Sequence, residues 1–308
     1  MTIEELNNAV DSGEIDELIR VSEAKQQKQL SKIADDICSR GNVRFVLLAG
    51  PSSAGKTTTA KRLCTQLRVN GCAAIQLSTD DYFVGDARNP RDEDGNLDYE
   101  TVECVDMHRL ASDVNRLIAG ETINPRRFDF AHHEGYDSED RLSLPAGGYI
   151  VLEGTHALNP RLTRDIPDEC KYRVFIEPKT QIVVFALTRL DSRDGRLLRR
   201  LVRYNQFRKM SPFDTFDLWP KVLAGEEKWI NPFRGCADAE FDSGLIYELS
   251  VLKRYVAGLL EKVSRKRPDA IKAKMLMDLL QVIHPAPPTA VPGDSILRET
   301  IGGSQLDY

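Results

Sequence analysis

The chain has 308 residues, 41% hydrophobic and 29% charged, an ordinary globular composition that allows one large domain or a domain with appendages. A formal net charge of −5 argues against nucleic acid as the main partner. The 6 cysteines are scattered without a C-x-x-C pair, as expected of reduced thiols, while the acidic N-terminus has no signal-peptide core and no apolar run reaches the roughly 20 residues that cross a bilayer, so a cytoplasmic location with no membrane partner is expected.

Residues 14–40 read as one amphipathic helix, with Ile15, Leu18, Ile19, Leu30, Ile33 and Ile37 near one face. From Val43 the pattern changes. VRFVLLAG, AAIQLST (73–79), GYIVLEG (148–154) and KYRVFIE (171–177) are short apolar runs without alternation, which suits strands covered on both faces. Helix patterns lie between them at 57–71, stopped by Gly71, and at 106–120, stopped by Gly120. Strands alternating with helices predict an α/β fold of three layers around a mainly parallel sheet. The polar stretch 85–103 reads as a functional loop. Residues 180–210 read as helical and strongly basic, 244–263 and 270–283 as further helices, and the Pro-rich HPAPPTAVPGD as a linker or surface strap.

One motif carries chemistry by itself. Gly50, Gly55, Lys56 and Thr57 match G-x-x-x-x-G-K-[ST], directly after an apolar strand and at the start of a helix. In this pattern the backbone of Gly50, Pro51, Ser52, Ser53, Ala54 and Gly55 turns its N–H groups toward phosphate oxygens. Lys56 reaches the β- and γ-phosphates, Thr57 ligates Mg²⁺, and Thr58 continues the cradle. A further acid is expected at a strand end, where such folds place ligands; Asp80, Asp81 and Glu153 qualify. No N-K-x-D or D-x-x-G stands where a GTPase needs it, and the strand end Ser78-Thr79-Asp80-Asp81 suits a motor or transporter ATPase poorly. A small-molecule kinase fits better. Arg196, Arg199, Arg200 and Arg203 recur at helical spacing, with Arg208 beyond, and supply cations for a lid over the transferring phosphoryl group.

In chain order, "GPSSAGKTTTAKRL", "STDDYF" (78–83), "DYETVECVD" (98–106), "RRFDFAHHEGYD" (126–137), "YIVLEGTHAL" (149–158) and "RLLRRLVRYNQFR" (196–208) resemble the uridine kinase and phosphoribulokinase family over roughly residues 43–263. "GEEKWINPF" and the terminal "SILRETIGGS" resemble its longer bacterial members, with their N-terminal TGS-type domain expected to be missing. The resemblance implies a P-loop NTPase fold with a helical Arg-rich lid, a kinase domain at 42–265 with the lid at about 189–212, an N-terminal helical extension at 1–41, and a C-terminal helix and tail at 266–308. It implies ATP, with GTP as an alternative, and Mg²⁺ as cofactors, and a small-molecule nucleoside as acceptor. It allows a homo-oligomer.

It also implies roles. Asp80 matches the catalytic base that takes the proton of a nucleoside 5′-hydroxyl and assists the metal. Asp98 matches the acid that holds ribose hydroxyls, and Phe128, Phe130 and His133 match the base-binding segment, with plain core packing the alternative for the two phenylalanines. Glu153 matches the acid near Mg²⁺, and Arg200, Arg203 and Arg208 match lid arginines at the phosphates. Three departures stand out. Phe128 replaces a usual Tyr, His132-His133 shifts a possible base contact by one, and the lid pattern R-D-x-x-x-R-G-R has Tyr204 for Asp, Lys209 for Gly and Met210 for the last Arg. The phosphoryl-transfer residues are intact while those that read a pyrimidine are altered. The expected function is therefore ATP-dependent phosphorylation of a nucleoside such as uridine or cytidine. The alternatives are a kinase of another small acceptor such as a pentose phosphate, and a nucleotide-binding regulator without turnover.

Overall fold

The structure, a computed structural model, describes every residue except 131, 180–182, 186–187, 268–269 and 308. Two helices, α1 (Ile3–Asp11) and α2 (Ile15–Ser39), precede the first strand. A capping box starts α1: Glu5 N–H donates to Thr2 Oγ1 at 3.1 Å and Thr2 N–H to Glu5 Oε2 at 2.7 Å. The chain continues through β1 (Phe45–Ala49), α3 (Lys56–Val69), β2 (Ala74–Ser78) and α4 (Met107–Ile118). Four short strands follow, β3 (Thr122–Ile123), β4 (Arg126–Asp129), β5 (Glu134–Asp137) and β6 (Leu142–Ser143), pairing β3 with β6 and β4 with β5 as antiparallel ribbons. Then come β7 (Tyr149–Glu153), β8 (Lys171–Glu177), a small pair β9 (Val183–Phe185) and β10 (Thr188–Arg189), and helices α5 (Ser192–Phe207) and α6 (Pro212–Trp229). β11 (Ala239–Asp242), α7 (Glu248–Lys266), α8 (Ile271–Gln281) and the single turn α9 (Arg298–Ile301) complete the order.

The central sheet runs β11-β8-β1-β7-β2, and every pairing in it is parallel. Residues of β1 alternate between two apolar clusters. Val46 and Leu48 pack with α2 and α3, while Phe45, Leu47 and Ala49 pack on the opposite face with α4. All five of these residues are buried, which is why the run shows no polar alternation. From β1 the chain passes to β2 at one edge, and later to β8 and β11 on the other side. The C-terminal end of β1 is therefore the switch point where α/β sheets bind ligands. Register aligns Glu153 with Leu48 on one side and Ser78 on the other, so the loop after β1, Glu153 and the segment after β2 share one edge. A third apolar cluster, all helical, joins α1 and the start of α2 to α5–α8 and to Val291, Leu297 and Ile301 of the tail.

One reading needs correction. Residues 183–185 and 188–189, expected to be helical, form the strands β9 and β10; the helix starts only at Ser192, where Asp191 accepts from Arg193 N–H at 3.1 Å. The run Val183-Val184-Phe185 is β-branched and aromatic, which favours a strand, and its neighbours 180–182 and 186–187 lie outside the described residues. Of the two alternatives for the Pro-rich tail, the strap holds rather than the linker: Val291, Ile296 and Leu297 are buried against the domain. Among the described residues no helix is long and apolar enough to cross a membrane.

Candidate active site

The loop from Gly50 to Gly55 leaves β1 and runs into α3. Gly50 is required by close approach, since a Cβ there would meet the backbone carbonyl of Ile176 in β8. Gly55 has φ +84° and would drive a Cβ into Ile296 of the tail. Lys56 is 9% exposed and donates to Pro51 O at 3.2 Å, so its ammonium is folded back over the loop. Pro51, Ser52, Ser53 and Ala54 complete a concave turn, in which Ser53 has φ +61°. The first N–H groups of α3 have no carbonyl a turn behind them and complete an anion cradle.

Around this cradle the sheet edge gathers acids. Thr57 Oγ1 donates to Glu153 Oε1 at 3.0 Å. Glu153 is 1% exposed; burial first, then Asp80, pushes its carboxyl up to about 7 against the pull of Lys56. Asp80, on the turn after β2, is held by its N–H on Ser78 Oγ at 3.3 Å. Asp81 points elsewhere, to Arg127 at 2.9 Å, which leaves Asp80 as the strand-end acid beside Glu153. Thr57, Asp80 and Glu153 present a hydroxyl and two carboxylates, hard oxygen donors that fit Mg²⁺, an ion that takes few protein ligands and completes its shell with water and phosphates. Among the described residues no group of three or more His, Cys, Asp or Glu could hold a metal ion. His156 lies under the same centre. Burial holds its imidazole down at about 4, so it is neutral at physiological pH.

Helix α5 brings arginines to the cradle in two sets. Arg196 donates to Ser52 O at 3.0 Å and, with both terminal nitrogens, to Glu226 of α6 at 2.5 and 2.8 Å. Arg199 pairs with Glu248 and with Ser243 O. Both are buried, so half of the expected lid helix is anchored in the helical core. Arg200, Arg203 and Arg208 form the second set. Arg200 donates to Ser52 Oγ at 2.7 Å. Tyr204 lies between them, with the Arg200 and Arg208 guanidinium carbons 4.2 and 4.7 Å from its ring centre and Arg208 donating to its hydroxyl at 3.0 Å. Burial raises the Tyr204 phenol, but Arg200, Arg208 and Arg203 outweigh it and hold the group below its ordinary value. Where the family pattern has a carboxylate, this chain thus has an aromatic platform with a polar tip.

Opposite the cradle, the loop after β2 meets the β4–β5 ribbon. Phe83, Phe128 and Phe130 pack edge to face, with centroids 5.1–6.2 Å apart, and Arg208 stands 4.2 Å over Phe130. Phe128 is 7% exposed and belongs to this wall. His133, at φ +55°, places Nδ1 2.8 Å from Tyr99 Oη and 3.1 Å from Asp86, which ties the ribbon to the loop carrying Asp98. Asp98 Oδ1 accepts from Glu100 N–H at 2.9 Å. His132 instead pairs with Asp129 at the surface. The structure thus gathers Asp98, Phe128, Phe130 and His133 on one side and Lys56, Thr57, Asp80, Glu153, Arg200 and Arg203 on the other, with Arg208 between Phe130 and Tyr204. Sequence reasoning missed Glu226, His156, Tyr99 and Glu100. The last is a partly buried carboxyl pushed up to about 7 by desolvation, with Arg200, Glu226, Asp98 and Lys56 around it.

The model of the Phosphoribulokinase / Uridine kinase family matches residues 45–216. A uridine kinase of Halobacterium salinarum is 26% identical over 156 residues, 51% of this chain and 60% of that protein, so the match spans less than two thirds of its length. One of Deinococcus deserti is 28% identical over 174 residues, 56% of this chain and 74% of that protein. A solved structure titled a possible uridine kinase from Bacillus stearothermophilus covers 70% of this chain and 100% of its own, at 18% identity and a TM-score of 0.45.

Proposed function

The chain belongs to the Phosphoribulokinase / Uridine kinase family, and on that premise we propose that it transfers the γ-phosphoryl group of ATP to the 5′-hydroxyl of a nucleoside. The reading is carried by one observation: an aromatic wall (Phe83, Phe128, Phe130) and a hydrogen-bonded Tyr99–His133 pair stand beside Asp98, across from the phosphate cradle. A carboxylate accepts two hydrogen bonds and suits a ribose diol, and flat apolar rings suit a base.

In this reading Lys56 and the loop N–H groups hold the donor phosphates, and Arg200, Arg203 and Arg208 offset the charge on the transferring group. Asp80 accepts the proton of the attacking hydroxyl. Mg²⁺ bound by Thr57, Asp80 and Glu153 would neutralise phosphate charge. The apolar wall excludes water. The kinase domain spans 42–265 in this proposal, with α5 as the Arg-rich element over the phosphates.

The test is ADP release with uridine, cytidine, other nucleosides and pentose phosphates, on the natural chain and on Asp80→Asn. Nucleoside-stimulated turnover is expected, and Asp80→Asn should lower kcat by about 10²–10⁴ while ATP still binds. Turnover confined to a pentose phosphate would refute the acceptor. An Asp80→Asn rate within a few-fold of the natural chain would refute the base.

A further inference from the structure

The tail that follows α8 returns to the donor site. Ala286 N–H donates to Ser250 O in α7 at 2.9 Å, Gln27 of α2 donates to Asp294 at 3.2 Å, and Ser295 donates to the buried Glu23 at 2.6 Å. Arg298 folds the segment on itself, donating to the carbonyls of Pro288, Val291, Pro292 and Gly302. These anchors set Ile296 against Gly55 and place Glu299 between two elements of the phosphate site. Each carboxylate oxygen of Glu299 has its own partner. Oε1 takes Arg203 Nη1 of α5 at 2.7 Å, and Oε2 takes Thr58 Oγ1 of α3 at 2.8 Å. The Glu299 side chain is 8% exposed and that of Arg203 25%, so the pair is screened from solvent on the Glu299 side while the guanidinium stays partly open. Arg203 also lies within the electrostatic reach of Asp80 and Glu153.

We infer that Glu299 is a positioning residue of the donor site: it fixes the Arg203 guanidinium, through Thr58, against the helix that carries the phosphate cradle. The inference rests on the donor-site reading above. A long arginine side chain has several rotamers, and a transition state gains only from a cation already in place. A buried carboxylate with a second, rigid partner supplies that order. It also sets a distinctive signature. Glu299 brings negative charge near the phosphates, so its removal does not weaken ground-state binding of ATP. What is lost is alignment in the transition state, so kcat falls without a rise in the ATP dissociation constant.

The experiment compares the natural chain, Glu299→Gln, Glu299→Asp, Arg203→Ala and the Glu299→Gln/Arg203→Ala double variant. Calorimetry gives the ATP dissociation constant without any acceptor. ADP release is measured with the best acceptor of the panel, or with water if none is used, and thermal melts check folding. Glu299→Gln is expected to lower the rate about 10–100-fold, as outer partners of a site residue commonly do, with ATP binding equal or tighter. Glu299→Asp, which keeps the charge, should recover part of the rate. In the Arg203→Ala background Glu299→Gln should change the rate less than about twofold. A Glu299→Gln rate equal to that of the natural chain, ATP binding weakened in step with the rate, or effects that multiply in the double variant would each overturn the inference. Failure of every nucleoside to stimulate the natural chain would instead strike the proposed acceptor, leaving the Glu299 comparison to be read on ADP release to water.

Discussion

Replacing Glu226 by Met isolates one of the two buried arginine clamps of α5. Arg196 and Glu226 are 3% and 5% exposed and joined by two hydrogen bonds, and Glu226 Oε1 also accepts Ser52 N–H at 3.3 Å. Removing the carboxylate alone leaves a buried guanidinium with its charge uncompensated, a change that costs about 3–5 kcal/mol. Unfolding entropy near 2.1 cal/mol/K per residue gives roughly 650 cal/mol/K for 308 residues, so 1 kcal/mol moves Tm by about 1.5 °C. Glu226→Met should therefore lower Tm by about 5–8 °C in calorimetry without ligand. Arg196→Met should do less, since the carboxylate it leaves still accepts from Ser52 N–H. The double variant Arg196→Met/Glu226→Met should recover at least half of the Glu226→Met loss, because well-packed apolar residues commonly replace a buried pair at little cost. A Glu226→Met chain melting within 2 °C of the natural one, or a double variant whose loss equals the sum of the two singles, would refute a clamp built on charge compensation.

Glu100 makes stability depend on pH. Its folded carboxyl is pushed up to about 7 by burial from an ordinary 4.5, so the folded state holds the proton longer than the unfolded state. Stability should fall as pH rises from about 4.5 through 7, by up to about 3 kcal/mol from this group alone. Glu100→Gln should flatten that slope and melt higher than the natural chain at pH 8; parallel Tm curves for the two would contradict the assignment. The thiols should differ in reactivity. Burial pushes Cys38 and Cys64 up to about 11, which leaves on the order of 10⁻³ of each as thiolate at pH 8, whereas Cys236 is exposed. Mass spectrometry after brief alkylation should find Cys236 modified at least tenfold faster than Cys64, and equal rates would contradict the burial.

The sheet was legible because its strands are apolar on both faces, and the phosphate cradle because its residues are contiguous and must be glycine, lysine and threonine for local reasons. Helix α1 was passed over although Thr2 and Glu5 spell a capping box. The basic run before Ser192 read as helix because arginine spacing outweighed the β-branched Val183-Val184-Phe185. What the sequence could not convey is which arginines work on the phosphates. Arg196, Arg199, Arg200 and Arg203 look alike in one dimension. Only the positions of Glu226 and Glu248, each far along the chain, separate the buried clamp arginines Arg196 and Arg199 from Arg200 and Arg203. Tyr204 looked like a lost aspartate, and its ring face became meaningful only with Arg200 and Arg208 stacked on it.

The contact between Thr58 and Glu299 spans 241 positions of the chain. On a ribosome adding 5–20 residues per second, the cradle emerges roughly 12–50 s before the carboxylate that braces it. During that interval α3 and the growing sheet can form while Gly55 stays uncovered by Ile296 and Arg203, once made, has no counter-ion from the tail. Closure of so long a loop is slow relative to local helix formation. Completion of the donor site therefore waits for residue 299, and a nascent chain is kept from adopting its finished phosphate grip until Glu299 has been made.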